Sequence, residues 1–575
     1  MKPPVHTAAI ALAVTVALAV AASMPLGGQT PQVEPADLVI RGGRIVTLDA
    51  RAPEAQALAA RDGRIVALGS VTDIDRYVGA STEIIELNGQ FAMPGFIEGH
   101  GHFTGIGNAK LGLELMNTGS WDEIVQMVAE AAARARPGQW IVGRGWHQEK
   151  WSSTPQPNVE GFPLKASLDR VSPNNPVILT HASGHASFAN SKALDLSGVT
   201  RETPNPNGGE ILRDANGEPT GLMRETASGL IRRGAGEPDP TPEEIEARER
   251  QVLHLADQEA ISKGITSFQD AGSSFGTVNR IKEEIDAGRM NVRLWVMIRG
   301  GNADSLARGR VIGYGDDMLT VRAIKITADG ALGSRGAWLL QPYSDKPDST
   351  GLATTPIERV AAQAQVALDA GYQVCVHAIG DRANREVLNV YEDLFRKNNR
   401  NGRDLRWRIE HAQHLHRDDI ERFGRLNVIA SMQGVHATSD APWVEPRLGA
   451  ERAEEGAYVW QKLMQSGAVV TNGTDAPVED VDPLASYYAT VTRRTNTGTV
   501  FYGDQAMGRI EALRSYTINN AYAAFEEDVK GTLTVGKLAD VTVLTKDITT
   551  IPAEEIKQTK VVYTIVGGKV VYKAN

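Results

Sequence analysis

Cysteine is almost absent from this chain of 575 residues: Cys375 stands alone. No intramolecular disulfide can form, and zinc sites built on several thiolates are excluded. Aromatics are scarce, at 6%, and basic residues are outnumbered, giving a formal net charge of −10. Without a basic excess, nucleic acid is excluded as the main partner. Beyond the N-terminal segment no apolar run approaches the roughly 20 residues of a membrane-spanning helix. Glycine, by contrast, is plentiful at 57 residues, as many tight loops between short elements require.

The N-terminal segment reads as an export signal. Lys2 precedes an apolar run over 8–22, about 15 residues and so shorter than a spanning helix. Ala21, Ala22 and Ser23 follow, then Pro25, Gly27 and Gly28. A positive start, a short apolar stretch and a small-residue exit predict a secretory signal peptide over 1–23. An uncleaved anchor is the competing reading. No cysteine stands at the exit, which excludes a lipoprotein anchor. Export without disulfides points to a bacterial envelope, with a periplasmic or secreted product.

The two ends of the remaining chain match each other. The stretch ADLVIRGGRIVTLD, with 64–68 (RIVAL) and 83–87 (EIIEL), predicts short strands around a Gly-Gly turn. Residues 539–545 (ADVTVLT) and 561–572 (VVYTIVGGKVVY) repeat that character, with a second Gly-Gly hairpin. One composite β domain, 36–92 plus 530–575, is expected from both termini. The middle, 93–529, alternates β-type and helical runs, the mark of parallel βα units. Eight strands are predicted: 93–98, 265–270, 292–298, 320–327, 373–377, 406–411, 427–432 and 468–474. Helices such as 241–264, with its Thr cap and acidic first turn, lie between them. This is the pattern of an α/β protein with a (β/α)8 barrel. The gap between strands one and two is too long for one helix and predicts an inserted lid subdomain over about 105–240, rich in tryptophan, including Trp140, Trp146 and Trp151.

Chemistry-bearing residues cluster at predicted strand ends. His100 and His102 form H-x-H after strand one; alternate strand residues share a face, so both imidazoles can meet one metal. Lys325 lies in strand four, His377 ends strand five, His411 ends strand six and Asp475 follows strand eight. All map to the C-terminal face of the barrel, where such enzymes keep their sites. Taken singly each has a plainer role: a loop hydrogen bond for a histidine, a carboxylate partner such as Asp329 for Lys325, a helix cap for Asp475. Cys375 reads as packing.

These segments resemble the metal-dependent amidohydrolase superfamily, and within it the amidohydrolase-3 branch that includes N-substituted formamide deformylases. The likeness is carried by MPGFIEGHGHF, SGHASFANSKAL, GITSFQDAG, IKITADGALGSRGA, VHAIGDRAN, IEHAQHL, ASMQGVHATSD, TNGTDAPV and GTLTVGKLADVTVL, and it runs from about residue 37 to the end. It implies a barrel, a composite β-sandwich domain, and a site for one or two divalent ions of the zinc type. Carried over, His100, His102, His377 and His411 become metal ligands. Lys325 takes the position where CO2 can form a bridging carbamate, and Asp475 becomes the catalytic acid and base. His185, Glu225, Gln433, His436 and Trp146 are expected to shape the substrate pocket. Two departures stand out: Glu98 replaces the commoner aspartate of D-x-H-x-H, and SGH over 183–185 replaces DGH.

The implied reaction is cleavage of a non-peptide amide bond, N-acyl or N-formyl, by metal-activated hydroxide, with Asp475 passing a proton to the departing amine. A small-molecule amide is the expected partner, and the assembly is left open, a homodimer included. Hydrolysis of a cyclic imide, carbamate or ester uses the same chemistry. A ring aminohydrolase is the alternative, but such enzymes carry an H-x-x-E acid near strand five and lack the strand-four lysine, whereas His377 begins HAIGD here. A non-catalytic regulator is the third reading; retention of all six positions argues against it.

If 1–23 is cleaved, the mature protein begins near Met24. N-terminal sequencing of the envelope fraction of the native host checks this; full-length chain in the cytosol refutes it.

Overall fold

Parallel strands covered on both faces favour apolar runs, as in the predicted segment 292–298 (VRLWVMI), and polar residues within the other segments turn toward the barrel's interior or its ends. A computed structural model describes residues 33–574, so the expected signal segment lies outside the described residues. Eight parallel strands stand side by side in chain order: β1 (Phe96–Gly101), β2 (Ile265–Ser273), β3 (Arg293–Arg299), β4 (Leu319–Thr327), β5 (Gln373–Ala378), β6 (Arg408–His411), β7 (Ile429–Gln433) and β8 (Val470–Gly473). Helices cover the outside. The helix Pro242–Ser262 starts as its sequence requires, with Thr241 and Glu244 in a reciprocal capping box and proline in the first turn.

The seam between β8 and β1 closes the barrel by other means than a regular ladder. Asp475 N donates to His100 O (2.7 Å) and His102 N to Ala476 O (2.7 Å). Thr474 N donates to the Glu98 carboxylate at 2.6 Å. Asn520 Nδ2 bridges Ile97 O (2.7 Å) and Asn472 O (2.8 Å) from outside the ring. Gly99 is required at this seam, since a Cβ there would stand 2.3 Å from Asn472 O.

Two expectations are corrected. The segment 93–98 is two strands, not one. Phe91–Pro94 pairs with Val541–Leu544 in the terminal sheet, and the barrel begins at Phe96. Gly95 makes the break because any side chain there would meet Thr266. His100 consequently lies inside β1 rather than after it. The first Gly-Gly pair is also not a turn. Gly42 and Gly43 sit within the strand Leu38–Val46 at a register shift, where a Cβ on Gly43 would press on Gln90 O. The second pair, Gly567 and Gly568, both at positive φ, does turn a hairpin between Val561–Val566 and Lys569–Lys573.

The terminal strands from both ends form one eight-stranded sheet. Its two faces carry separate apolar clusters, one around Leu38, Ile40 and Val541, the other around Val39, Ala57 and Ile74. Between β1 and β2 the chain builds a six-stranded sheet spanning Leu113–Glu114 to Pro219–Glu225, with its own core of Trp121, Trp146, Trp151 and Phe188. Among the described residues no helix is long and apolar enough to cross a membrane.

Asn520→Ala leaves two buried carbonyls at the seam without a donor. The expected loss is about 2–4 kcal/mol of stability, read as a lowered urea midpoint with an unchanged slope.

Candidate metal centre and active site

The ends of the barrel strands bring six predicted residues together. His100 is fully buried within β1. Its Nδ1 is held by the Glu410 carboxylate, and its Nε2 lies 3.1 Å from Lys325 Nζ and 3.6 Å from Asp475 Oδ1. His102, which caps the helix Phe103–Lys110 rather than ending the strand, places Nε2 at 3.1 Å from the same Asp475 oxygen. His411 stands 4.7 Å from His100 and 4.5 Å from His377 between ring centres. His100, His411 and Asp475 offer ligand atoms that all lie within 4.8 Å of one another.

Electrostatics fit this cluster to a cation. Burial lowers the pKa of His100 to about 4 and pushes those of His102, His377 and His411 down as well. All four imidazoles are therefore neutral at pH 7, the form that binds metals. Burial disfavours the charged form of Asp475, but the close approach of His102 Nε2, 3.1 Å from Oδ1 without hydrogen-bond alignment, and the neighbouring His100 and His411 outweigh it and hold the carboxyl well below its ordinary range. His377 Nε2 and Asp475 Oδ1 are both buried without a well-aligned protein partner. Orphaned buried atoms of this kind are costly unless something binds them. The donor set, neutral imidazole nitrogen and carboxylate oxygen, suits a divalent ion of the zinc type.

Three residues of the site are held in the left-handed region: His411 (φ 78°), Asp475 (φ 58°) and Glu225 (φ 49°). Each such conformation costs on the order of 1–3 kcal/mol and persists only where the surroundings fix it. Gln433 Oε1 fixes His411 through Nδ1 at 2.8 Å. Gln433 thus positions His411, a candidate metal ligand, and does not line the cavity, which corrects its expected substrate role. Trp146 is corrected too. It is fully buried in the core of the inserted sheet, and its Nε1 donates to Leu179 O at 2.8 Å.

Other predicted pocket residues do face the site. A cavity of about 670 Å³ opens between the barrel and the insertion, lined by His102, Lys325, His377 and Asp475 on one side and by His185 and Glu225 on the other. His185 Nδ1 and Glu225 Oε2 are 2.6 Å apart. Burial works against a charge on His185, but Glu225 wins and raises its pKa. Gly330 and Gly336 make room for Glu225, since a Cβ on either would stand 2.1 or 2.2 Å from its Oε1. His436 lines a smaller adjoining recess with its Nδ1 on Gln413 Nε2 at 3.0 Å.

Asp329 does not pair with Lys325. It accepts from the backbone N–H groups of Trp338, Ile379 and Gly380 and stands 3.5 Å from His377 Nε2. Cys375 is packed in the interior, and burial pushes its thiol up, as a packing role requires. Sequence reasoning missed Arg408 and Glu410, whose ion pair (2.9 Å) orients His100. The signal was present: R-x-E within one strand places opposite charges on one face.

The amidohydrolase family model matches residues 83–572. Among relatives, the chain is 34% identical to the protein LONG AFTER FAR-RED 3 of Arabidopsis thaliana, covering 93% of this chain and 92% of that one. It is 28% identical to an N-substituted formamide deformylase of Arthrobacter pascens, covering 93% and 98%. Among solved structures, a metal-dependent hydrolase from Pyrococcus horikoshii superposes with a TM-score of 0.70 at 26% identity, covering 90% of this chain and 99% of that one.

Purified protein is expected to carry about one to two equivalents of divalent metal. His100→Ala and His377→Ala should each lose most of it, as measured by plasma mass spectrometry. Unchanged metal content in both variants refutes the assigned cluster.

Proposed function

The chain belongs to the amidohydrolase family, and on that premise we propose that it hydrolyses an N-acyl or N-formyl carbon–nitrogen bond in a small, non-peptide amide. The observation that carries this reading is the pair of orphaned buried atoms, Asp475 Oδ1 and His377 Nε2, at the floor of a cavity wide enough for a small molecule. The formamide-cleaving relative supports the bond type. We assign His100, His102, His377 and His411 as holders of zinc or an ion of similar chemistry. Such an ion lowers the pKa of bound water toward 7 and polarises a carbonyl oxygen.

The chain's own groups do the rest. Asp475, ionised at neutral pH, accepts the proton of the attacking water and returns it to the leaving nitrogen, which is a poor leaving group as an anion. His185 has Nδ1 committed to Glu225, which leaves Nε2 to donate to the carbonyl oxygen as negative charge grows there. The insertion that carries His185 forms the wall of the cavity opposite the barrel's histidines.

Lys325 is assigned as the site of a CO2-derived carbamate: its amine nitrogen bonds to the CO2 carbon and releases a proton. The support is geometric. Nζ is buried, its protein contact in the site is His100 Nε2 at 3.1 Å, and burial lowers its pKa to about 8, so that the neutral amine is accessible. Export through the segment 1–23 completes the reading and rests on its composition.

Two variants separate the roles. Asp475→Asn keeps the volume but cannot take a proton, and is expected to lower kcat by about 10² or more while metal stays substantially in place. Lys325→Ala is expected to lose activity and part of the metal, with partial rescue by short carboxylic acids; Lys325→Arg is not rescued, because a fixed positive charge fills the space. Steady-state kinetics on a panel of N-formyl and N-acyl amines checks both. Full activity in Asp475→Asn overturns the proton role, and retained metal and rate in Lys325→Ala overturn the carbamate.

A further inference from the structure

The recess that adjoins the catalytic cavity is small, about 50 Å³, and shares His377, His411 and Asp475 with it. Three separate elements bound the rest. His147 stands just beyond the strand Ile141–Trp146 of the insertion, Trp443 on the helix Gly434–Leu448 after β7, and Gly333 in the loop after β4.

Two N–H donors meet there without an acceptor. The backbone N–H of Glu149 donates to His147 Nδ1 at 3.2 Å, so the neutral imidazole carries its proton on Nε2. Burial holds the pKa of His147 well below its ordinary value, which keeps the ring neutral. Trp443 Nε1 is buried and has no protein acceptor among the described residues. A Cβ on Gly333 would stand 3.5 Å from Trp443 Nε1 and 3.6 Å from His147 Nε2. The two nitrogens therefore flank one point, and glycine leaves that point open. The His147 ring is held in place between Trp443, on which it stacks at 4.5 Å, and His181, also at 4.5 Å. His181 is tied in turn by the backbone N–H of Ser183 at Nδ1 (3.1 Å) and by Gln148 Oε1 at Nε2 (3.1 Å).

The indole N–H groups of Trp151, Trp295, Trp407 and Trp460 are also buried without an acceptor, but none of these tryptophans lines the cavity or the recess. Trp443 differs because a second donor and open space adjoin its nitrogen. Charge narrows what can enter that space. Asp440 and Glu479 line the recess as well. Glu479 has Lys150 at 3.5 Å, whereas Asp440 has the Tyr458 hydroxyl as its donor. These carboxylates oppose an anion, and the N–H donors oppose a cation, so an uncharged acceptor fits both. Size assigns the side of the substrate. The recess has room for a few heavy atoms, whereas the adjoining cavity of about 670 Å³ takes the larger group.

We propose that this recess is a subsite for the acyl side of the substrate and selects a short acyl group bearing an uncharged acceptor, a hydroxyl or a carboxamide, which accepts from His147 Nε2 and Trp443 Nε1. The amine side occupies the larger cavity. This deepens the amide-hydrolase reading and rests on it for the reaction, though not for the recess.

The test compares amides of equal heavy-atom count on the metal-loaded full chain: N-glycolylphenethylamine against N-propionylphenethylamine, and N-(3-hydroxypropionyl)phenethylamine against N-butyrylphenethylamine. In at least one pair the hydroxylated member is expected to have the higher kcat/KM, by about tenfold, the worth of a hydrogen bond to a donor otherwise left unpaired. Gly333→Ala puts a methyl group at the point between the two nitrogens, at ordinary contact distance and at a backbone position that is not left-handed. It is expected to bring that ratio close to one. Trp443→Phe keeps a ring but removes the N–H, and should lower the ratio to about threefold. Each ratio is taken within one preparation, so partial misfolding of a variant does not alter it. Ratios near one for both pairs in the unaltered chain, or a ratio that both variants leave intact, overturn the proposal. Calorimetry with N-glycolylphenethylamine and N-propionylphenethylamine reads the recess without turnover. If neither is cleaved but the hydroxylated amide binds at least fivefold tighter, and Gly333→Ala removes that difference, the amide-hydrolase reading fails and the subsite stands. Equal affinities of the two in an inactive protein overturn the subsite as well.

Discussion

The seam between the first and last barrel strands is the constraint on which the site depends. Asp475 N–H bonds to His100 O, and Glu98 from the first strand accepts the N–H of Thr474. The same contacts that close the ring therefore set the distance between the principal acid and the innermost histidine. Asn520 reinforces the seam from outside by satisfying one carbonyl on each strand. Glutamate at position 98 suits this task, because its carboxylate reaches across the gap where regular pairing has stopped.

Around that seam the protein accumulates arrangements that are unfavourable in isolation. Several imidazoles are buried and neutral, a lysine amine is buried beside one of them, and three site residues adopt left-handed backbone. A network of supports holds them. Arg408 and Glu410 orient His100, Gln433 orients His411, and Glu225 orients His185 within a pocket that two glycines leave open. Such a constellation is rigid before substrate arrives, which is the condition for electrostatic stabilisation without reorganisation. The insertion contributes the opposite wall, with His185 and Glu225 on it.

Much of this was legible in the sequence because it depends on local pattern. Apolar runs of strand length alternating with capped helices mark the eight βα units. A histidine, lysine or aspartate at the end of such a run falls on the C-terminal face whatever else the chain does. The roles of Trp146 and Gln433 were not legible. Both lie near residues that do face the cavity, and period-two alternation does not say whether a polar end meets substrate, a backbone carbonyl or another side chain.

By itself, then, the sequence determined the eight βα units of the barrel and placed His100, His411 and Asp475, which could hold a metal, near strand ends, because each follows from periodicity and residue chemistry within one segment. Only the tertiary structure decided that 91–101 divides between two sheets at Gly95, that Arg408 and Glu410 orient His100, and that His185 and Glu225 of the insertion share one cavity with the barrel's histidines. These facts depend on segments tens to hundreds of residues apart being brought within a few ångströms, and no spacing along the chain encodes that proximity.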